Sequence, residues 1–474
     1  MATPPPKPTY AQLEAENQAL RAEVARLTAL VDELRAELRT ARGEIDGLKR
    51  ASKRQATPFS KGTRAKKPKQ PGRQPGQGPF RCRAAPPPET ITEQVEVAVE
   101  LGACPHCGGE LQAEAEEVVT LTEAPAAPQP QVTAYHLERC RCRRCGRTVR
   151  ATHPDVPADQ RGASAHRLGA RALTLAHWLH YGLGVSVRKV PAILEALTGI
   201  AVTQGALTRD ALRRTAGNLG QVYEKLRQQL PRAPAIHTDD TGWKVGGERA
   251  FLMVFTTRGA TVFQIRPCHR NDEVREVAPG DYEGVLITDR GRSYEAQALA
   301  GVRQQKCVAH LQRSLSAALE GQWGRARCLA LGLREALEEA VALWTAYQRG
   351  EATNFAAQRD RLQARLDKLL APRRTRNVVN QRLLDELGWH HQQGNLLRFL
   401  FEPETVEPTN NRAERALRPA VIARKVSQCS KNERGAAAHA AFASLFVTLG
   451  QRQPESVVET ALAVLRGGAL PEPA

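Results

Sequence analysis

Three acids in this chain stand where carboxylates could do metal chemistry. Asp239 follows the apolar start of "AIHTDDTGWKV", Asp289 closes the apolar run in "GVLITDRG", and Glu414 lies in "VEPTNNRAERALRP". Acids at the ends of adjacent strands converge, and converged carboxylates repel one another unless divalent cations lie between them. Mg2+ suits such a place because it takes a few carboxylates together with waters and substrate phosphates. Two Mg2+ ions about 3.5–4 Å apart can clamp the attacking and leaving oxygens of an in-line phosphoryl transfer. Taken singly, each aspartate reads as a turn former. Glu414 also has a second reading. Asn411 and Glu414 carry the spacing of a capping box, in which a short polar side chain and a carboxylate satisfy the free N–H groups at a helix start.

A second set of residues could hold a metal without doing chemistry. "CPHCGG" places Cys104 and Cys107 in one Cys-x-x-Cys knuckle, and "CRCRRCG" places Cys142 and Cys145 in another. Two such pairs, each followed by glycine and joined by a segment of short strands, fit a closed tetrahedral Zn2+ ribbon. Such a site is structural. Cys140 and His106 are alternative ligands.

The elements that must position the acids are legible from periodicity. "AIHTDDTGWKV", "RAFLMVFTTRG" and "ATVFQIRPC" read as three β-branched, apolar strands of a meander. A helix-like "NDEVREVA", the buried strand "GVLITDRG" and "RQQKCVAHLQRSL", a strand running into a helix, follow. That order predicts an α/β core of the ribonuclease H kind. Residues 311–405 read as a helical insertion before the segment carrying Glu414. Upstream, residues 160–230 read as short helices resembling a helix-turn-helix, with a second helix starting near Thr203 and carrying Arg209, Arg213 and Arg214.

Residues 10–48 have the heptad pattern of a coiled coil. Tyr10, Asn17, Val24, Val31, Leu38 and Ile45 fall at a; Leu13, Leu20, Leu27, Leu34, Ala41 and Leu48 fall at d. Val at a with Leu at d favours a parallel pair, and one Asn at a fixes its register. This predicts a homodimer. Residues 49–83 then hold twelve Lys or Arg and no acid, so they cannot build a core and read as a disordered basic tether. Arg73, within "QPGRQPGQGP", has the setting of a minor-groove hook. The boundaries expected are a coil at 10–48, a basic linker at 49–95, a zinc ribbon at 96–155, the helical region at 160–230, the core at 231–310 and 406–465, and the insertion at 311–405.

The whole chain, 474 residues with a net charge of +18 and 41% hydrophobic residues, supports several domains and a polyanionic partner, most simply nucleic acid. No run reaches the ~20 apolar residues of a membrane helix, and "MATPPPKPTY" lacks the apolar core of a secretory signal. The expected compartment is the cytoplasm, in association with the nucleoid.

From its coil to about residue 450 the chain resembles the DDE transposases of bacterial insertion sequences, specifically the insertion-sequence-66 family. "DDT" at 239–241 matches an Asp-Glu-Thr element, Asp289 and Tyr294 match an acid followed by a tyrosine-bearing turn, and "CVAH" at 307–310 matches a Cys-Trp-Ala-His element. "NNRAERALRP" with "ARK" matches the element of the third acid. Asp240, Val308 and Arg290 depart from the pattern and leave the three acids intact. The resemblance implies cut-and-paste DNA movement catalysed by Asp239, Asp289 and Glu414 with two Mg2+ ions. It implies that Asn410, Asn411 and Arg415 position Glu414 and DNA phosphates, that His310 orients a phosphate or supports Asp289, and that the upstream regions bind terminal inverted repeats. Target DNA and small accessory transposition proteins are the further partners implied. The competing class is a dimeric DNA-binding regulator with an inactive nuclease-like core. Convergence of the acids separates the two, with Thr409 or Asn410 expected to cap the helix and Glu414 one turn inside it.

Overall fold

The computed structural model describes residues 10–54, 86–96, 103–111, 118, 120–122, 129–156, 168–320, 322–427 and 429–472. The chain divides into two units, residues 1–122 and 123–474. In the first, α1 (Tyr10–Arg54) is one continuous helix. Its heptad residues Leu20, Val24, Leu27, Val31, Leu34 and Leu38 are all exposed.

The second unit opens with the hairpin β1 (Arg139–Arg141) and β2 (Thr148–Arg150) and four helices, α2 (Ala170–His177), α3 (Val190–Thr198), α4 (Gln204–Thr215) and α5 (Asn218–Gln229). Gly199 ends α3 with φ of 67°, the left-handed cap that favours glycine. Thr203 caps α4 by accepting from the Ala206 N–H at 3.3 Å. The α4 helix buries Leu207, Asp210 and Ala211.

A five-stranded sheet follows, in the order β5-β4-β3-β6-β7. β3 (Ala235–Val245), β4 (Glu248–Thr256) and β5 (Thr261–Arg266) form an antiparallel meander, and β6 (Val285–Thr288) and β7 (Arg303–Lys306) add in parallel on the other side of β3. The short helix α6 (Asn271–Arg275) lies between β5 and β6. Gly246 and Gly247, with φ of 61° and 95°, make the two-residue turn from β3 to β4. Side chains alternate across the sheet as a two-residue period requires. Ile236, Met253, Phe255 and Leu286 pack into a core with α5, α13 (Glu433–Arg452) and α14 (Val457–Leu465). Ala235, Val285 and Ile287 face a second core. That core is built with α7 (Val308–Glu320), α8 (Arg327–Gln348), α9 (Phe355–Leu370), α10 (Val378–Gln392) and α11 (Arg398–Phe401). The helix α12 (Asn411–Ser427) contributes Ala413, Leu417 and Ala420 to a third cluster with Trp243, Leu252 and Val254.

The free edge of β5 is closed by side chains. Ser444 and Thr448 on α13 accept from the Phe263 and Thr261 N–H groups, and Tyr223 on α5 donates to the Phe263 carbonyl. An edge strand is thereby denied to a second chain. Among the described residues no helix is long and apolar enough to cross a membrane.

Candidate active site

The two aspartates are placed by strand register. β3 pairs with β6 in parallel, with His237 opposite Ile287. Each acid stands two residues beyond that pair, Asp239 within β3 and Asp289 just past the fully buried strand β6. The third acid arrives on α12. The Glu414 N–H donates to the Asn410 carbonyl at 3.2 Å, so Asn410 stands at the helix cap and Glu414 in the first turn. The capping-box pairing with Asn411 is not formed. Instead the Glu414 carboxylate lies 3.4 Å from an Arg313 amine and 3.9 Å from His310 Nδ1.

One run of hydrogen bonds joins the three acid-bearing segments. The Cys307 N–H donates to the Thr288 carbonyl at 2.8 Å, which fixes the residue before Asp289. Cys307 Sγ accepts from the Asn410 N–H at 3.1 Å. The Asn410 side-chain amide donates to the Thr238 carbonyl at 2.8 Å, which fixes the residue before Asp239. Thus the "CVAH" segment bolts the α12 cap to both strands. Asn410 is fully buried in this role. It acts on Glu414 from inside the protein, through the helix cap and the Thr238 carbonyl. Asn411 and Arg415 lie on the exposed face of α12.

The electrostatics of the site follow from this arrangement. Burial, together with Asp289, Asp240 and Glu414, pushes the Asp239 carboxyl up to about 7, against the Asp240 N–H that donates to it at 2.9 Å. Like charges close together disfavour ionisation. Burial, assisted by Arg313, lowers the affinity of His310 for a proton, so its ring is neutral beside Glu414. Tyr294 is buried with its hydroxyl 3.4 Å from Thr238 Oγ1.

Several residues near the acids carried no sequence signal. Lys306 is fully buried at the end of β7, donates to Thr288 Oγ1 at 3.2 Å, and is lowered by burial to about 8. His269 Nδ1 lies 3.0 Å from Asp240 Oδ1. An isolated Lys or His gives no periodic pattern, so only the fold could bring them here.

Among the described residues, no three His, Cys, Asp or Glu side chains stand together closely enough to hold a metal ion. Each acid is turned to a local partner: Asp239 to the Asp240 N–H, Asp289 to the Gly291 N–H at 2.8 Å, Glu414 to Arg313. The donor set is nevertheless one of hard oxygen ligands, and burial, aided by the neighbouring acids, raises Asp239 to about 7.

The cysteine knuckles share one backbone pattern. Cys104 and Cys142 each accept at the carbonyl from a glycine N–H, Gly108 at 2.8 Å and Gly146 at 2.9 Å, and both glycines have φ near 70°. The N–H groups of His106 and Cys107 lower the Cys104 thiol, and those of Cys145 and Arg144 lower that of Cys142. Cys140 lies in β1, exposed, with its thiol toward Glu138.

On α4, Arg209 is exposed, whereas Arg213 and Arg214 bond Asp210 at 2.8 and 2.7 Å. Arg73 lies outside the described residues, as does most of the basic linker.

Residues 166–438, more than half of the chain, match the family model described as Transposase IS66 family. The chain belongs to the IS66 transposase family. Among curated proteins none matches it. As a member of this family it is a DNA-binding, DNA-modifying enzyme. The matched span contains Asp239, Asp289, Glu414 and the Cys307 junction, while α1 and both cysteine knuckles precede it.

Proposed function

We propose that Asp239, Asp289 and Glu414 form one catalytic centre that cuts and rejoins DNA at the ends of an insertion sequence. The observation that carries this reading is the run of hydrogen bonds from Thr288 through Cys307 and Asn410 to Thr238, which ties the three acid-bearing segments together. The strand order, a three-stranded meander continued by two parallel strands, supports a ribonuclease H-like core.

In this reading Asp239, Asp289 and Glu414 would hold two Mg2+ ions, which would supply activation of the attacking oxygen and stabilisation of the leaving one. The chain's own groups do the rest. The Thr288–Cys307–Asn410–Thr238 bonds hold the three carboxylates in register. Arg313 and neutral His310 steady Glu414. Asn411 and Arg415, exposed at the positive end of α12, meet the phosphates of the bound strand. Cleavage frees a 3′-hydroxyl at the element end, and that hydroxyl attacks target DNA in a second in-line displacement. The work is done in the cytoplasm, on the nucleoid.

Dimerisation through α1 is supported by its row of exposed Leu and Val at a and d. A structural Zn2+ with Cys104, Cys107, Cys142 and Cys145 as ligands rests on the two Cys-x-x-Cys spacings of the sequence. The upstream helices and basic tether bind the terminal inverted repeats, and small accessory proteins assist.

The test is cleavage of a plasmid carrying the element ends. Asp239→Asn should reduce Mg2+-dependent cutting by about three orders of magnitude, some 4 kcal/mol of barrier, while end binding in a gel-shift assay is unchanged. Cutting at the wild-type rate would sink the assignment and favour a regulator with an inactive core.

A further inference from the structure

Asp289 lies at the head of a turn, Asp289-Arg290-Gly291, that is held from outside the sheet. Its carboxylate accepts from the Gly291 N–H at 2.8 Å, and a side chain at Gly291 would meet Asp289 Oδ1 at 2.9 Å. The turn is therefore narrow, and the residue at its centre decides where the carboxylate sits. That residue, Arg290, leaves the site. One guanidinium nitrogen bonds Glu386 on α10 at 2.6 Å, and another donates to Ser314 on α7. Three residues beyond Gly291, the buried Tyr294 packs beneath the turn.

A second contact runs alongside. Glu295 Oε1 lies 3.3 Å from Nε2 of His390, one helical turn past Glu386 on α10. His390 is buried and is held neutral by burial and by Lys306 and Arg290, so this contact binds Glu295 as a neutral partner. The α7 contact matters as well, because the neighbouring Arg313 reaches Glu414. Arg290 thus sits between the insertion, the helix that steadies the third acid, and the second acid itself.

We propose that Arg290 is a positioning residue that clamps the Asp289 turn to α10 and α7, so that the seating of the helical insertion sets the geometry of the acid centre. The clamp rests on the reading of Asp289 as a metal ligand. Groups that orient metal ligands through a hydrogen bond change metal affinity without touching the ion. Arg suits the task because its planar fork serves two partners at once, which an ammonium on a flexible stem does not. The long excursion from residue 311 to 405 then has a mechanical part in the site. Displacing α10, for example when DNA or a partner docks on the insertion, would release the turn.

The test uses the full chain without DNA. Melting temperature is followed as Mn2+ is added, and melting in EDTA reports the fold alone. Wild-type protein should be stabilised by Mn2+, and Asp289→Asn should lose that response. Arg290→Ala and Glu386→Ala should need about tenfold more Mn2+ for half the shift, with melting in EDTA near the wild-type value. Glu386 is surface-accessible and bonds none of the three acids, so Glu386→Ala decides the matter if Arg290→Ala does not fold. Wild-type Mn2+ dependence in Glu386→Ala, with Asp289→Asn unresponsive, would overturn the clamp and leave the acid centre standing. A wild-type response in Asp289→Asn would overturn the acid centre, and the clamp with it.

Discussion

Two aspartates in this molecule, Asp210 buried and Asp239 partly buried, have opposite fates. Asp210 in α4 and Asp239 in β3 are both withdrawn from water, and burial alone raises both carboxyls. Asp210 is surrounded by His177 at 2.8 Å, Arg213 at 2.8 Å and Arg214 at 2.7 Å, which outweigh burial and hold it well below the usual carboxylate range. Asp239 is surrounded by acids and rises to about 7. Burial therefore does not identify a functional acid; the sign of its neighbours does. Asp210 has its cations built into the chain, and it knits α2 to α4 while His177 packs 4.5 Å from the Phe442 ring of α13. Among the described residues Asp239 has no basic side chain as a partner, which fits the cation site proposed above.

The contrast can be broken most forcefully through pH. In a chelator, the folded Asp239 carboxyl titrates near 7 and the unfolded one near 4, so its ionisation in the fold is unfavourable. The sign follows from linkage: stability is fully present below the unfolded value and is lost as pH rises through the folded one. Asp239→Asn should match wild type at pH 4 and exceed it at pH 8 by about 4 kcal/mol in urea unfolding, since each unit is worth about 1.4 kcal/mol. Added Mg2+ should erase much of that advantage by stabilising the wild type alone. Equal stabilities at pH 8 would mean that neither burial nor the neighbouring acids raise Asp239.

Asp210→Asn should move in the other direction. Removing one partner of a buried ion-paired cluster leaves two arginines facing the vacancy in charge, at a cost of about 3 kcal/mol. Urea unfolding measures it, and Mg2+ should not restore it. Plasmid cutting below the melting transition should persist, because Asp210 lies in α4 and not in the acid centre. Lost cutting with intact stability would place Asp210 in the chemistry and dissolve the contrast.

Much of this arrangement was legible in the sequence because it is periodic. Strands that end in acids, such as "GVLITD", announce both a buried element and the residue that leaves it, and the Gly246-Gly247 pair marks a hairpin. The seat of Glu414 was legible to within a residue, because caps at Thr409, Asn410 and Asn411 suit similar side chains. Only the Asn410 bond to Thr238 separates them. Arg213 read as a DNA contact from its place on a second helix, yet its partner Asp210 lies one turn away on the same helix. Long-range pairs such as Arg290 with Glu386 have no local pattern at all, since an ion pair between distant segments leaves no period in either.

The account stands on three acids sharing one cation site, and iron-directed cleavage reads that most directly. Fe2+ substituted for Mg2+, with ascorbate and peroxide, generates hydroxyl radicals that cut the polypeptide where the metal is bound. Mass spectrometry should find cuts clustered beside Asp239, Asp289 and Glu414 together, all lost in Asp239→Asn. Cuts beside one acid alone, or a pattern unchanged by Asp239→Asn, would contradict a shared centre.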